Sequence, residues 1–208
     1  SYYLKKLNEG SLTREHVDYH YRIPSEPKSY IDMLTEGLKE NERAKMIHLY
    51  IVRKSFSEKG YKALVTFCLD PSEALYLKEL AAYVMLKQVP QVPVMIKHKG
   101  LEMIYTDESQ ISKSVVTGVR VVEHLQQSLQ PGQLNDVIYR FWSIVFKYAY
   151  SHAVIFKNDK GWAAAIEYLA CQEEARLSQK AVATKYGISP STVHYYVKKI
   201  KHIFNEQW

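Results

Sequence analysis

The sequence predicts a mainly α-helical chain. A C-terminal bundle of five helices ends in a closely joined helix pair, and an N-terminal α+β region with one β-hairpin precedes it. Three observations carry this. Apolar residues recur at helical spacing over 71–88 and again from 111 to 204. Between those runs the period drops to two around Lys97-His98-Lys99-Gly100. Finally, Gly187 stands between two amphipathic patterns, with cap-forming residues on both sides. At 208 residues and 47% hydrophobic, the chain is long and apolar enough to bury a core, which excludes global disorder. The pattern divides it into an N-terminal region, 1–108, and a helical domain, 109–208, with the helix pair at 178–204.

In order, residues 1–30 are polar and tyrosine-rich, with Pro24 and Pro27 close together, and read as an extended arm. From Ser29 to about Phe56, Ile31, Leu34, Leu38, Met46, Leu49 and Ile51 mark one or two helices. The stretch "YKALVTFCL" (61–69) reads as a strand or as a buried helical piece. Over 71–88 a helix is expected, with Pro71 in its first turn. "VPVMIKHKGLEMIYTDE" then reads as a β-hairpin, a structural role being favoured over a wing that touches nucleic acid.

Beyond Asp107 every element is helical. Ile111, Val115, Val119, Val122, Leu125 and Leu129 mark a first helix, ended by Pro131-Gly132. Leu134, Val137/Ile138, Phe141/Trp142, Val145 and Tyr148/Ala149 mark a second, with a wide apolar face. Asn158-Asp159 offers a cap for the third, whose Ala163, Ala164, Ala165 and Ala170 let neighbours approach; this helix is expected at the centre.

The last two helices carry the functional signal. Ser178 caps a short helix, Ala183 leaves room for a crossing helix, and Gly187 permits the left-handed stop. Ile188 packs between the helices; Ser189 and Pro190 then start the next one, with Val193, Val197, Ile200 and Phe204 inward. Ser191, Tyr195, Lys198 and His202 lie opposite, with His194 and Lys199 flanking. This is the spacing of a helix-turn-helix, whose second helix occupies the major groove of DNA. One departure is Tyr196, where an aliphatic is commoner. From 178 to 204 there are five lysines and no acid, which supplies +5 of the net +6 and favours an anionic partner. The competing reading is a helical hairpin with a solvated lysine face.

The five-helix run, from about Ile111 to Phe204, resembles a cyclin-box repeat, most closely the second cyclin repeat of transcription factor IIB. The resemblance is carried by "LNDVIYRFWSIVFKYAY" and "GWAAAIEYLACQEEARLSQKAVATKYGISPSTVHYYVKKI". Within these, Tyr168-Leu169-Ala170-Cys171, Gln172-Glu173-Glu174 and Ser178 to Val193 match that family's third helix, acidic turn and helix pair. The resemblance implies a cyclin-like bundle packed around the third helix, with the last two helices reading double-stranded DNA. By position it implies Ser189, Ser191, Thr192, His194 and Tyr195 toward bases, and Lys198 and Lys199 near phosphates. Gln179, Lys180 and Lys201 complete the expected DNA-binding set. The chain lacks that factor's zinc ribbon and first repeat, so a bacterial or phage-type transcriptional regulator fits better than a general initiation factor. The alternative is a cyclin-like scaffold that binds a partner protein through its helical groove or its N-terminal half.

Other chemistries find little support. His16 and His20 are spaced for a helical metal pair but have no cysteine nearby, and read as a polar surface pair. The remaining histidines are His48, His98, His124, His152, His194 and His202, and no metal site is expected. There is no Gly-rich phosphate loop, GxSxG or HExxH, and Glu173-Glu174 are adjacent on a helix and so diverge; neither an enzyme nor a cofactor is expected. Cys68 and Cys171 are far apart and read as reduced thiols, Cys171 in the core, which suits a cytoplasmic location. No stretch reaches roughly 18 uncharged apolar residues, and no signal-peptide pattern opens the chain. It starts on Ser1 rather than Met, which reads as a fragment or a trimmed form.

Overall fold

A computed structural model of the chain describes residues 33–53, 57–175 and 177–206. The expected N-terminal arm, the start of the first helix at Ser29, the His16/His20 pair and the side chains of Glu173 and Glu174 lie outside the described residues. The fold is mainly helical with one two-stranded antiparallel sheet. It divides into two compact units, one up to Val115 and one from Val116 onward.

In the first unit a helical stretch over 33–37 precedes α1 (Glu42–Val52), α2 (Glu58–Leu69) and α3 (Leu75–Gln88). Residues 61–69 are therefore helical. Ser57 decides this by accepting from the Gly60 N–H at 3.0 Å, and Gly60, Leu64, Phe67 and Cys68 then face inward at helical spacing. α3 starts four residues later than the 71–88 expectation. Asp70 accepts from the Ser72 N–H and hydroxyl at 2.9 and 2.7 Å, and this local turn holds Pro71 out of the helix. Every α3 residue from Tyr76 to Leu86 is buried, because α1, α2 and β1 all pack on it.

The expected hairpin forms β1 (Val94–His98) and β2 (Leu101–Tyr105), pairing Val94 with Tyr105 and His98 with Leu101. Lys99 and Gly100 have φ of 49° and 78°, the two left-handed residues of a tight hairpin turn. Val94, Ile96 and Tyr105 are buried, and the buried Lys78 ammonium donates to the Lys97 carbonyl. Tyr105 and the Ser112 N–H both donate to the buried Glu79 carboxylate, at 3.0 and 3.1 Å. These contacts make the hairpin an integral part of the first unit.

The second unit contains α4 (Lys113–Ser128, from Val116), α5 (Pro131–Val137), α6 (Ser143–Ser151), α7 (Asp159–Ala175), α8 (Gln179–Tyr186) and α9 (Pro190–Glu206). Pro131 does not end a helix here; it occupies the first turn of α5. Between α5 and α6 the helix widens into a π turn, Ile138–Trp142, in which the Ser143 N–H reaches back to the Ile138 carbonyl. The extra residue keeps Leu134, Ile138, Trp142 and Phe146 buried at steps of four, a spacing that would drift off the inner face of an ordinary helix. Trp142 packs on Phe146 and Phe156 with centroids 5.5 and 5.1 Å apart. α7 is the central helix: Trp162 to Ile166 are buried, and α5, the π turn, α8 and α9 all contact it. Asn158 caps it, its side chain accepting from the Gly161 N–H at 2.9 Å.

Candidate nucleic-acid interface

The helix pair forms by the local chemistry of its own residues. Ser178 Oγ accepts from the Ala181 N–H at 3.1 Å and starts α8. Gly187 stops it in the left-handed region, at φ 65° and ψ 38°. Its N–H donates to the Thr184 carbonyl at 3.2 Å, and the Ile188 N–H donates to Ala183 at 2.9 Å. This pair of bonds satisfies the last carbonyls of α8 and sets the turn angle. Ser189 then accepts from the Thr192 N–H at 3.1 Å and starts α9, with Pro190 first.

Val182, Ala183 and Tyr186 of α8 are buried, as are Val193, Val197, Ile200 and Ile203 of α9. The inward stripe thus closes on Ile203, while half-buried Phe204 meets the Phe141 ring at 5.7 Å. Ile188 is half-buried.

The expected site residues are displayed as follows. Lys180, Ser189, Ser191, His194, Tyr195, Lys198, Lys199 and Lys201 are exposed, and Gln179 and Thr192 are half-buried. Ser189 Oγ lies 2.8 Å from both the Ser191 and Thr192 hydroxyls, so these three form a cap cluster. Lys199 Nζ stands 4.7 Å from the Tyr195 ring centroid and 5.7 Å from that of Tyr196. Among the described residues, the ammonium groups of Lys180, Lys198 and Lys201 have no acidic partner.

Two features had no signal in the spacing. Lys185, counted in the basic segment, is bound to the core: Nζ lies 2.7 Å from Glu167 Oε1 and 2.9 Å from the Ser128 carbonyl. Glu167 also accepts from the Tyr186 hydroxyl at 2.7 Å and from Ser128 Oγ, and its side chain is only 3% exposed. This carboxylate ties the end of α4 and the end of α8 to α7; burial, the largest cause, pushes the Tyr186 phenol above its ordinary range. The second feature is Tyr196, which lies half-buried on Trp162, centroids 5.1 Å apart. Gly161 makes room for it, since a Cβ there would come within 2.5 Å of the Tyr196 ring. Small size at 161 and an aromatic at 196 are thus one feature.

Among the described residues no helix is long and apolar enough to cross a membrane, and no three metal-ligating side chains stand together. No curated protein and no solved structure matches the chain. One family model does match, over residues 171–199, and its description is winged helix-turn-helix DNA-binding. The match spans the end of α7, all of α8, the Gly187 turn and the front of α9, so that segment is similar in sequence to the helix-turn-helix of a winged helix-turn-helix DNA-binding family.

Proposed function

We propose that the chain is a sequence-specific, non-enzymatic transcriptional regulator, acting in the cytoplasm, that inserts α9 into the major groove of double-stranded DNA. The observation that carries this is an acid-free, lysine-bearing face on a fully capped helix-turn-helix that also matches a DNA-binding family. Ser189, Ser191, Thr192, His194 and Tyr195 occupy the front of α9, the part that meets base edges in such complexes. Gln179 and Lys180 open α8, and Lys198, Lys199 and Lys201 follow further along α9, where a helix leaving the groove passes phosphates. The cyclin-like arrangement belongs to the same reading, supported by the packing of α5, α8 and α9 around α7 and by the run Tyr168 to Cys171.

The test is to select a preferred duplex from a random-sequence library with the full chain. Anisotropy titrations on that duplex and on a scrambled one follow, at one fixed salt. His194→Ala is expected to lose ~1–3 kcal/mol on the selected duplex and little on the scrambled one. Equal losses on both would mean that α9 holds DNA without reading it. No binding to any duplex would move the reading to a scaffold for a protein partner.

A further inference from the structure

Resting on the reading that α9 is the helix that meets DNA, we propose that Tyr195 recognises the 5-methyl group of thymine and that the target carries thymine opposite the front of α9. Tyr195 is 53% exposed. Among the described residues of the second unit, the only other large hydrophobic side chain so exposed is Ile155, at 38%. On the exposed front of α9 its ring is the one large apolar surface.

The ring is also held in place. Tyr196 meets it edge-on, with centroids 5.0 Å apart and planes at 84°. Tyr196 rests on Trp162 at 5.1 Å, and Trp162 on the buried Phe156 at 5.0 Å. Lys199 Nζ stands over the Tyr195 ring from one turn further on. A chain of aromatic contacts therefore runs from the core to the exposed face, and a ring fixed before binding loses little freedom on contact.

The other means of reading a base are scarce on this pair. No arginine occurs from 177 to 206, and the first lysine of α9 is Lys198, so the front of α9 carries no cationic side chain for the contact to guanine. From 177 to 204 the one Asn or Gln is Gln179, at the start of α8, so the front of α9 has no donor–acceptor side chain for the two-bond contact to adenine. The Ser191 and Thr192 hydroxyls are already engaged with Ser189. What remains at the front of α9 is the His194 imidazole and the Tyr195 ring. Among the four unmodified bases, only thymine presents an apolar group in the major groove.

The experiment uses the full chain and the duplex enriched from a random-sequence library. That duplex is resynthesised with deoxyuridine in place of thymidine, which removes only the methyl groups. Wild type is expected to bind the uracil duplex about fourfold more weakly for each methyl contacted, the change that burial of one CH₂-sized group at ~0.8 kcal/mol produces. Tyr195→Ala should bind the two duplexes alike, while Tyr195→Phe, which keeps the ring, should still discriminate. Wild type binding both duplexes equally, or Tyr195→Ala retaining the discrimination, overturns the proposal while leaving DNA binding by α9 intact. Failure of wild type to enrich or bind any duplex overturns the underlying reading as well.

Discussion

Replacing Glu167 with leucine should loosen α8 from α7 and thereby unseat the front of the helix pair. Glu167 is 3% exposed and accepts from three donors. They do not contribute equally. The Lys185 side chain is 43% exposed, so its ammonium regains water when the carboxylate is lost, and its share is at most that of a surface pair, roughly 1 kcal/mol or less. Ser128 is half-buried and also rehydrates in part. Tyr186 is buried, and leaving its hydroxyl without an acceptor costs ~1–3 kcal/mol. Together these predict a loss of about 2–4 kcal/mol for Glu167→Leu. Tyr186→Phe alone should cost about 1–2 kcal/mol, but in the Glu167→Leu background it should recover part of the loss, because it removes the hydroxyl that the first substitution deprived of its carboxylate. Denaturant unfolding followed by tryptophan emission reads the second unit, because both tryptophans among the described residues, Trp142 and Trp162, fall within it. Additive losses in the double variant would refute the network.

Gly187→Val tests the turn itself. Nothing lies within 4 Å of an added Cβ, so the whole cost is the strain of a β-branched residue at φ 65°, about 1–3 kcal/mol in the same unfolding assay; an unchanged midpoint would remove the left-handed stop. A pH effect is expected in the first unit. Burial is the largest cause holding the His48 imidazole down to about 4, with Glu40 opposing it, whereas the unfolded chain takes up the same proton near 6.5. The unfolded state therefore binds more protons between those values, and stability is lost as pH falls from about 6.5 to about 4, by roughly 3 kcal/mol at the low end. Amide hydrogen exchange in α1 and α3 should accelerate over that window in wild type and change less in His48→Gln; equal acceleration in both would assign the effect to other groups.

The helix pair was legible because each of its positions makes a separate chemical demand. A hydroxyl must cap at Ser178 and again at Ser189, a small side chain must sit at Ala183, and a residue tolerant of positive φ is needed at Gly187. Few unrelated segments meet all four in register. Periodicity alone left 61–69 open between strand and helix, and the Ser57 cap outside that run settled it. The π turn was hidden in the paired apolar positions 137/138 and 141/142, where a one-residue insertion looks the same as a broad apolar face. The Glu167 site was hidden for a different reason. Its partners Ser128, Lys185 and Tyr186 come together only in the folded unit, and the Lys185–Ser128 contact spans 57 positions. That contact also corrects the charge reading. One of the five lysines of the basic segment serves the core, and Lys180, Lys198, Lys199 and Lys201 remain for an anionic partner.

If this face binds DNA through its lysines, that binding must weaken as salt rises. The measurement is the salt dependence of duplex binding for wild type and for a Lys180→Ala, Lys198→Ala, Lys201→Ala triple variant. All three side chains are exposed, so the variant should fold as wild type does. Wild-type affinity should fall linearly in log–log terms with salt, and the slope of the triple variant should be shallower by about 0.9 for every phosphate contact removed. Binding that ignores salt, or a triple variant whose slope equals that of wild type, would show that these lysines do not meet phosphates.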